Sequence, residues 1–372
     1  MSEHIEDLVA AGLYDPDDPA AVERLELFVF LLDEIGASIP ELVQADEQGG
    51  VLSFAAFRTL RIGRDGFTFA EAAARAEIDP DVALTLWRGA GFADPRPFER
   101  RFGPDDVEMF RLFGLLATFV PQEQVLQLMR TMGEAVGRVA EAEVALLRSN
   151  IEAPLAQRRQ YVDVARTYQA VANAVLPRIS DAIDAMHRHR LQAIGRRYSD
   201  VSAPTSALNV VQLAVGFADL AGYTGLWQEL EPHHLALMLD RFEATTADVI
   251  AAAGANVVKR IGDAVMFVTN APGIACALAL DLLEACAAAK LPKLRVGLAF
   301  GDVMVRQGDF YGPTVNLAAR LVSSAEAGTA LTDSGLQQRL ERVRSRYAFA
   351  AVGKQNLAGF VEPVETFQLL RP

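Results

Sequence analysis

Asn256–Val268 reads NVVKRIGDAVMFV. Two apolar arms, NVVKRI and AVMFV, flank Gly262-Asp263, and a Gly-Asp corner between β-branched runs predicts a β-hairpin. The arms also carry Lys259 and Arg260 just before the turn and a carboxylate on it. A turn-former accounts for Asp263 as well as chemistry does, so its neighbours decide.

Upstream, VVQLAVGFADL is a mostly apolar strand with Asp219 near its C-terminal edge. PHHLALMLDRFEATTADVIAAAG follows as an amphipathic helix closed by Gly254, then the hairpin, then a helix over 273–289. LRVGLAFGDVMV predicts two strands about Gly301-Asp302. A helix over 313–326, the strand TALTD and a strand-rich tail, YAFAAVGKQNLAGFVEPVETFQLL, complete the chain. Helices alternate with strands but hairpins intrude. The fold class expected is α+β with a mixed sheet rather than a doubly wound one.

Residues 20–200 read differently. AVERLELFVFLLDEIG and FGPDDVEMFRLFGLLATF repeat apolar residues at three-to-four spacing, and long helices are expected from Pro121 to about Arg197. FTFAEAAARAEIDPDVALTLWRGAGFADP loosely resembles the helix-turn-helix half of MerR-type regulators, but on an acidic segment a helical scaffold is the better reading. His187 and His189 fall in the basic run HRHRLQAIGRR, read as a solvated helix face. The expected organisation is a helical domain over 1–200, a linker at 201–207 and an α+β domain over 208–372.

At 372 residues, with 51% hydrophobic residues and a net charge of −13, the chain can bury two cores and lacks the balance for broad affinity to nucleic acid or anionic lipid. Residues 1–50 hold thirteen carboxylates against Arg24 alone. Cys276 and Cys286 make neither a disulfide framework nor a zinc pattern and read as buried small apolar residues. The acidic start, MSEHIEDLVAAGLYD, is no signal peptide. The helix at 273–289 carries Asp281 and Glu284, so no membrane span is expected; the expected compartment is the cytoplasm.

Asp219 and Asp263 lie 44 residues apart, yet adjacent strands can bring their ends together. Two carboxylates so placed suit Mg²⁺. The small-residue turn after Asp219, AGYTG, leads toward a helix and offers backbone N–H groups to anions, as a phosphate cradle requires. In GDFYGPTVNLAARLVSSAEAG, Asn316 and Arg320 stand four apart, on one helix face.

FADLAGYT, VKRIGDAVMF and GDFYGPTVNLAAR, in that order, closely resemble the class III nucleotidyl cyclases over about 207–372. The helical half is similar in arrangement to soluble mycobacterial-type adenylyl cyclases with a helical N-terminal regulatory domain. The resemblance implies a cyclase domain with a ferredoxin-like core. Asp219 and Asp263 would bind two Mg²⁺ or Mn²⁺ ions, with the Leu220 carbonyl as a further ligand. Gly222, Tyr223 and Thr224 would hold the triphosphate of ATP, and Lys259 and Asp309 would specify adenine. Asn316 would orient the ribose and Arg320 would stabilise charge on the α-phosphoryl group. It also implies a homodimer with sites shared between two chains. The family often has Arg where Asp302 follows Gly301, and L-K-G where Leu357-Ala358-Gly359 stands; each departure removes a possible phosphate contact. A guanylyl cyclase and a non-catalytic nucleotide-binding module are the alternatives.

Overall fold

The computed structural model describes residues 2–18, 21–60, 66–199, 210–223, 225, 231–342 and 347–371. The chain divides into two compact units, Met1–Gln192 and Ala193–Pro372.

The first unit is helical: α1 (Ser2–Ala10), α2 (Val22–Asp33), α3 (Ile39–Glu47), α4 (Phe54–Leu60), α5 (Phe69–Arg75), α6 (Pro80–Gly89), α7 (Pro104–Leu116), α8 (Gln122–Leu147), α9 (Ala153–Gln157), α10 (Tyr161–Ala174) and the start of α11 (Leu176–Ser199). A π-helical stretch, Arg148–Glu152, joins α8 to α9. The resemblance to a helix-turn-helix has a local cause. Thr68 caps α5 in a capping box with Glu71, and the Asp79 carboxylate accepts from the Asp81 and Val82 N–H groups to start α6. Ala72, Ala73, Ala83 and Trp87 then bury against Phe102 and Phe110. His187 and His189 are exposed, as a solvated helix face requires. α11 runs on through Ser199, and residues 201–207, read as a linker, lie outside the described residues.

The second unit is a mixed sheet with helices on both faces. Its elements are β1 (Val210–Leu220), α12 (Pro232–Ala252), β2 (Asn256–Ile261), β3 (Ala264–Thr269), α13 (Pro272–Ala288), β4 (Leu294–Arg306), β5 (Asp309–Tyr311), α14 (Pro313–Ser324), β6 (Ala330–Asp333), α15 (Ser334–Arg342), β7 (Ala348–Gln355) and β8 (Val364–Leu370). The strand order is β2-β3-β1-β4-β6-β8-β7, with β5 on β4. Among the described strands only β4 and β6 pair in parallel. The α+β reading therefore holds.

β1 is the central strand, and its period of two sorts the core. Val211, Leu213, Val215 and Phe217 face Ala318 and Val322 of α14. Ala214, Ala218 and Leu220 face Phe242 and Ile250 of α12 and Leu278 and Leu282 of α13. Helix α14 lies hard on the sheet: a Cβ on Gly297 would come 2.2 Å from the Val322 backbone nitrogen and 2.4 Å from the Ala318 carbonyl. Cys276 and Cys286 are buried and unbridged, as read from the sequence. Among the described residues no helix is long and apolar enough to cross a membrane.

The expected break at Gly301-Asp302 is absent: β4 continues through it. Asp302 pairs in register with Gln212, whose Nε2 donates to Asp302 Oδ1 at 3.1 Å, and Thr314 Oγ1 donates to the Asp302 carbonyl at 2.8 Å. These tertiary bonds override a local turn signal. The chain reverses instead at Gln307 and Gly308, both at positive φ as a two-residue type I′ turn demands.

Candidate active site

The opening hairpin forms as expected. Ile261 pairs with Ala264 across a two-residue turn whose positive φ falls on Gly262 (61°), the position where a type II′ turn takes glycine. β3 lies antiparallel on β1, so Asp219 stands opposite Ala264, the residue after Asp263. The Leu220 N–H donates to the Asp263 carbonyl at 3.3 Å and ties the turn to the end of β1. The two carboxylates thus meet side by side, although 44 residues separate them in the chain.

Their electrostatics follow. The Asp219 carboxyl is pushed up to about 6, first by burial and then by the Asp263 charge and a hydrogen bond with it. Arg295 opposes the rise; it is the residue opposite Asp219 on β4. Two hard oxygen donors crowded together favour either a shared proton or a divalent cation that displaces it. The donor set therefore fits Mg²⁺ or Mn²⁺.

The turn after β1 sits beside this pair. The Ala221 N–H donates to the Lys293 carbonyl at 2.8 Å, Gly222 has φ +79°, and the Gly225 N–H donates to the Gly222 carbonyl at 3.0 Å. Tyr223 packs against the core beneath β1, and burial with the Asp263 charge raises its hydroxyl pKa. Thr224 lies outside the described residues.

A second couple forms elsewhere on the hairpin. Lys259 Nζ donates to Asp309 Oδ2 at 2.5 Å, and Asp309 Oδ1 accepts from the Phe310 N–H at 2.8 Å, which orients the carboxylate. A donor and an acceptor side by side match the adjacent N1 acceptor and N6 donor of adenine. Asn316 and Arg320 are exposed on α14, and among the described residues Arg320 makes no ion pair. The structure brings Asp219 to Asp263 and Lys259 to Asp309, and leaves Asn316 and Arg320 facing outward.

Sequence reasoning passed over Arg295. Its Nε is buried without an acceptor among the described residues, directly across from Asp219. The signal was a lone charge inside the apolar run LRVGLAF.

Residues 206–371 match the family described as adenylate and guanylate cyclase catalytic domain. The chain is 33% identical to an adenylate cyclase of Streptomyces coelicolor, over 77% of this chain and 74% of that protein. The chain belongs to the class III nucleotidyl cyclases. An uncharacterised protein of Mycobacterium tuberculosis is 35% identical over 97% of this cyclase and 93% of its own length. A pH-sensitive adenylate cyclase from another strain of that organism is 26% identical over 100% and 95%. Among solved structures, the adenylyl cyclase CyaB from P. aeruginosa aligns with 45% of this cyclase and 97% of its own chain at 22% identity, with a TM-score of 0.41.

Proposed function

We propose that this cyclase converts ATP to 3′,5′-cyclic AMP and pyrophosphate. The observation that carries the reading is the meeting of Asp219 and Asp263 at the end of β1, beside a turn suited to phosphate. Two Mg²⁺ or Mn²⁺ ions held there, with the Leu220 carbonyl as a further ligand, would neutralise the triphosphate and ease ionisation of the ribose 3′-hydroxyl.

The chain's own groups supply position and charge, which carry most of the catalysis in phosphoryl transfer. Backbone N–H groups of Gly222, Tyr223 and Thr224 hold the triphosphate. Lys259 donates to adenine N1 and Asp309 accepts from the N6 amine; guanine, with O6 and a protonated N1, meets the wrong partner at both. Asn316 orients the ribose so that O3′ attacks the α-phosphorus in line. The O3′–P bond forms, the bond to pyrophosphate breaks, and the hydroxyl proton passes to solvent or a phosphate oxygen. Arg320 stabilises the charge that builds on the α-phosphoryl oxygens.

One site draws on two chains: Asp219 and Asp263 from one copy, Lys259, Asp309, Asn316 and Arg320 from the other. The outward-facing Asn316 and Arg320 support this arrangement. A homodimer then has two complete sites, and a monomer none. The helical unit is read as a regulatory and dimerisation domain of a cytoplasmic enzyme. Turnover assays with ATP and with GTP test the reading: cyclic AMP must form, and Asp263→Ala must abolish it.

A further inference from the structure

The start of α12 gathers three metal-ligating side chains that the cyclase reaction does not use. Glu231 stands just before the helix, and His233 and His234 lie in its first turn. One ligand atom from each lies within 4.8 Å of the other two, and all three residues are exposed. The two imidazole rings face one another, with centroids 4.2 Å apart and planes inclined at 36°.

The local sequence explains the gathering and leaves the donors unspent. Pro232 opens the helix, where its fixed φ suits the first turn and its missing N–H needs no cap. Glu231 holds the N-cap position, yet its side chain makes no capping hydrogen bond. Among the described residues none of the three side chains has a hydrogen-bond or ion-pair partner. His4, by contrast, is engaged through Nε2 with Asp33 at 2.9 Å.

We propose that Glu231, His233 and His234 bind one late first-row transition-metal ion per chain, Zn²⁺ foremost. Two imidazoles and a carboxylate suit Zn²⁺, Cu²⁺ and Ni²⁺, whereas Mg²⁺ takes oxygen ligands. A tetrahedral zinc with Zn–N near 2.0–2.1 Å sets neighbouring ligand atoms roughly 3.3 Å apart. Exposed side chains close that gap by rotation about their own bonds, on a backbone that Pro232 holds. Three protein ligands leave the fourth position to water. The positive end of the helix dipole opposes a cation, and the Glu231 carboxylate offsets it. Neither Asp219 nor Asp263 belongs to this cluster. Glu243, which pairs with Arg260 of the hairpin at 3.7 Å, lies ten residues beyond His233 on α12, about 15 Å at the helical rise. The chain thus carries two metal sites of different preference: oxygen donors for Mg²⁺ or Mn²⁺ at the end of β1, and a nitrogen-rich set for Zn²⁺ at the start of α12. This second site does not depend on the cyclase reading.

Calorimetric titration with Zn²⁺ of the untagged full chain carrying Asp219→Asn and Asp263→Asn tests this with the carboxylate pair disabled. One Zn²⁺ should bind per chain, excess Mg²⁺ should not displace it, and Co²⁺ in its place should give visible d–d absorption. Adding His233→Gln with His234→Gln, or Glu231→Gln alone, should weaken Zn²⁺ binding tenfold or more and remove the Co²⁺ bands, with circular dichroism unchanged. Wild type held in excess Mg²⁺ gives the same comparison if the Asn pair fails to fold. No uptake of Zn²⁺ with the histidines intact, a loss below tenfold in either variant, or displacement by Mg²⁺ overturns the proposal.

Discussion

Lys259 and Asp309 meet at 2.5 Å although β2 and β5 are not neighbours in the sheet. Through Met266 and Phe217, Lys259 stands in the row of Gly297 on β4, whereas Asp309 pairs with Arg306. On a straight strand those rows would lie roughly 30 Å apart at ~3.3 Å per residue. The ion pair closes because the end of β4 and β5 curl across the α14 face, where Phe310 joins the cluster of Phe217 and Met266. Packing of Phe310, not sequence proximity, thus builds the donor–acceptor couple.

That couple sets the first expectation. Lys259→Ala should lower kcat/KM for ATP roughly ten- to a hundredfold, the range of one charge-assisted hydrogen bond worth ~1.5–3 kcal/mol. Lys259→Glu combined with Asp309→Cys should shift preference toward GTP. Paired ATP and GTP assays check both; unchanged preference in the double variant would remove these residues from purine selection.

The carboxylate pair carries a pH signature. Asp219 sits above its ordinary value of 3.8, at about 6, so ionising it works against the metal-free fold. Its contribution is present at acid pH and is lost as pH rises from about 4 through about 6. The metal-free melting temperature of wild type should therefore fall relative to Asp219→Asn across that window. Mn²⁺ affinity should strengthen as pH rises through about 6, because the cation displaces a proton. Calorimetric titration with Mn²⁺ at pH 5 and 7 reads this, and equal affinities would contradict the shared-proton account.

Helix α14 depends on a missing side chain. Gly297→Ala would drive a Cβ into the backbone of Val322 and Ala318, which cannot swing aside. Overpacking of this kind destabilises by about 1–3 kcal/mol, and shifting α14 moves Asn316 and Arg320 with it. Denaturant unfolding of Gly297→Ala should show the loss, with a drop in kcat larger than any rise in KM.

Much of this was legible in the chain itself. The hairpin about Gly262-Asp263, the strand ending near Asp219 and the helix bearing Asn316 and Arg320 all announce themselves by local patterning. What was not legible depends on partners distant in sequence. Gly301-Asp302 has the composition of a turn and is held extended by Gln212 and Thr314. Arg295 gains its meaning only from register with Asp219, 76 residues away. The bare faces of α8 and α11 are periodic in sequence, but only the burial pattern shows that their own unit leaves them uncovered.

The central claim is that one site takes residues from two copies, and mixing two inactive variants tests it most directly. Asp263→Ala loses the carboxylate half and Asn316→Ala the ribose-orienting half. After exchange of subunits at equal amounts, half of the dimers are mixed and each mixed dimer has one intact site, so activity should return to roughly a quarter of wild type. A mixture no more active than the two variants measured apart would contradict the account.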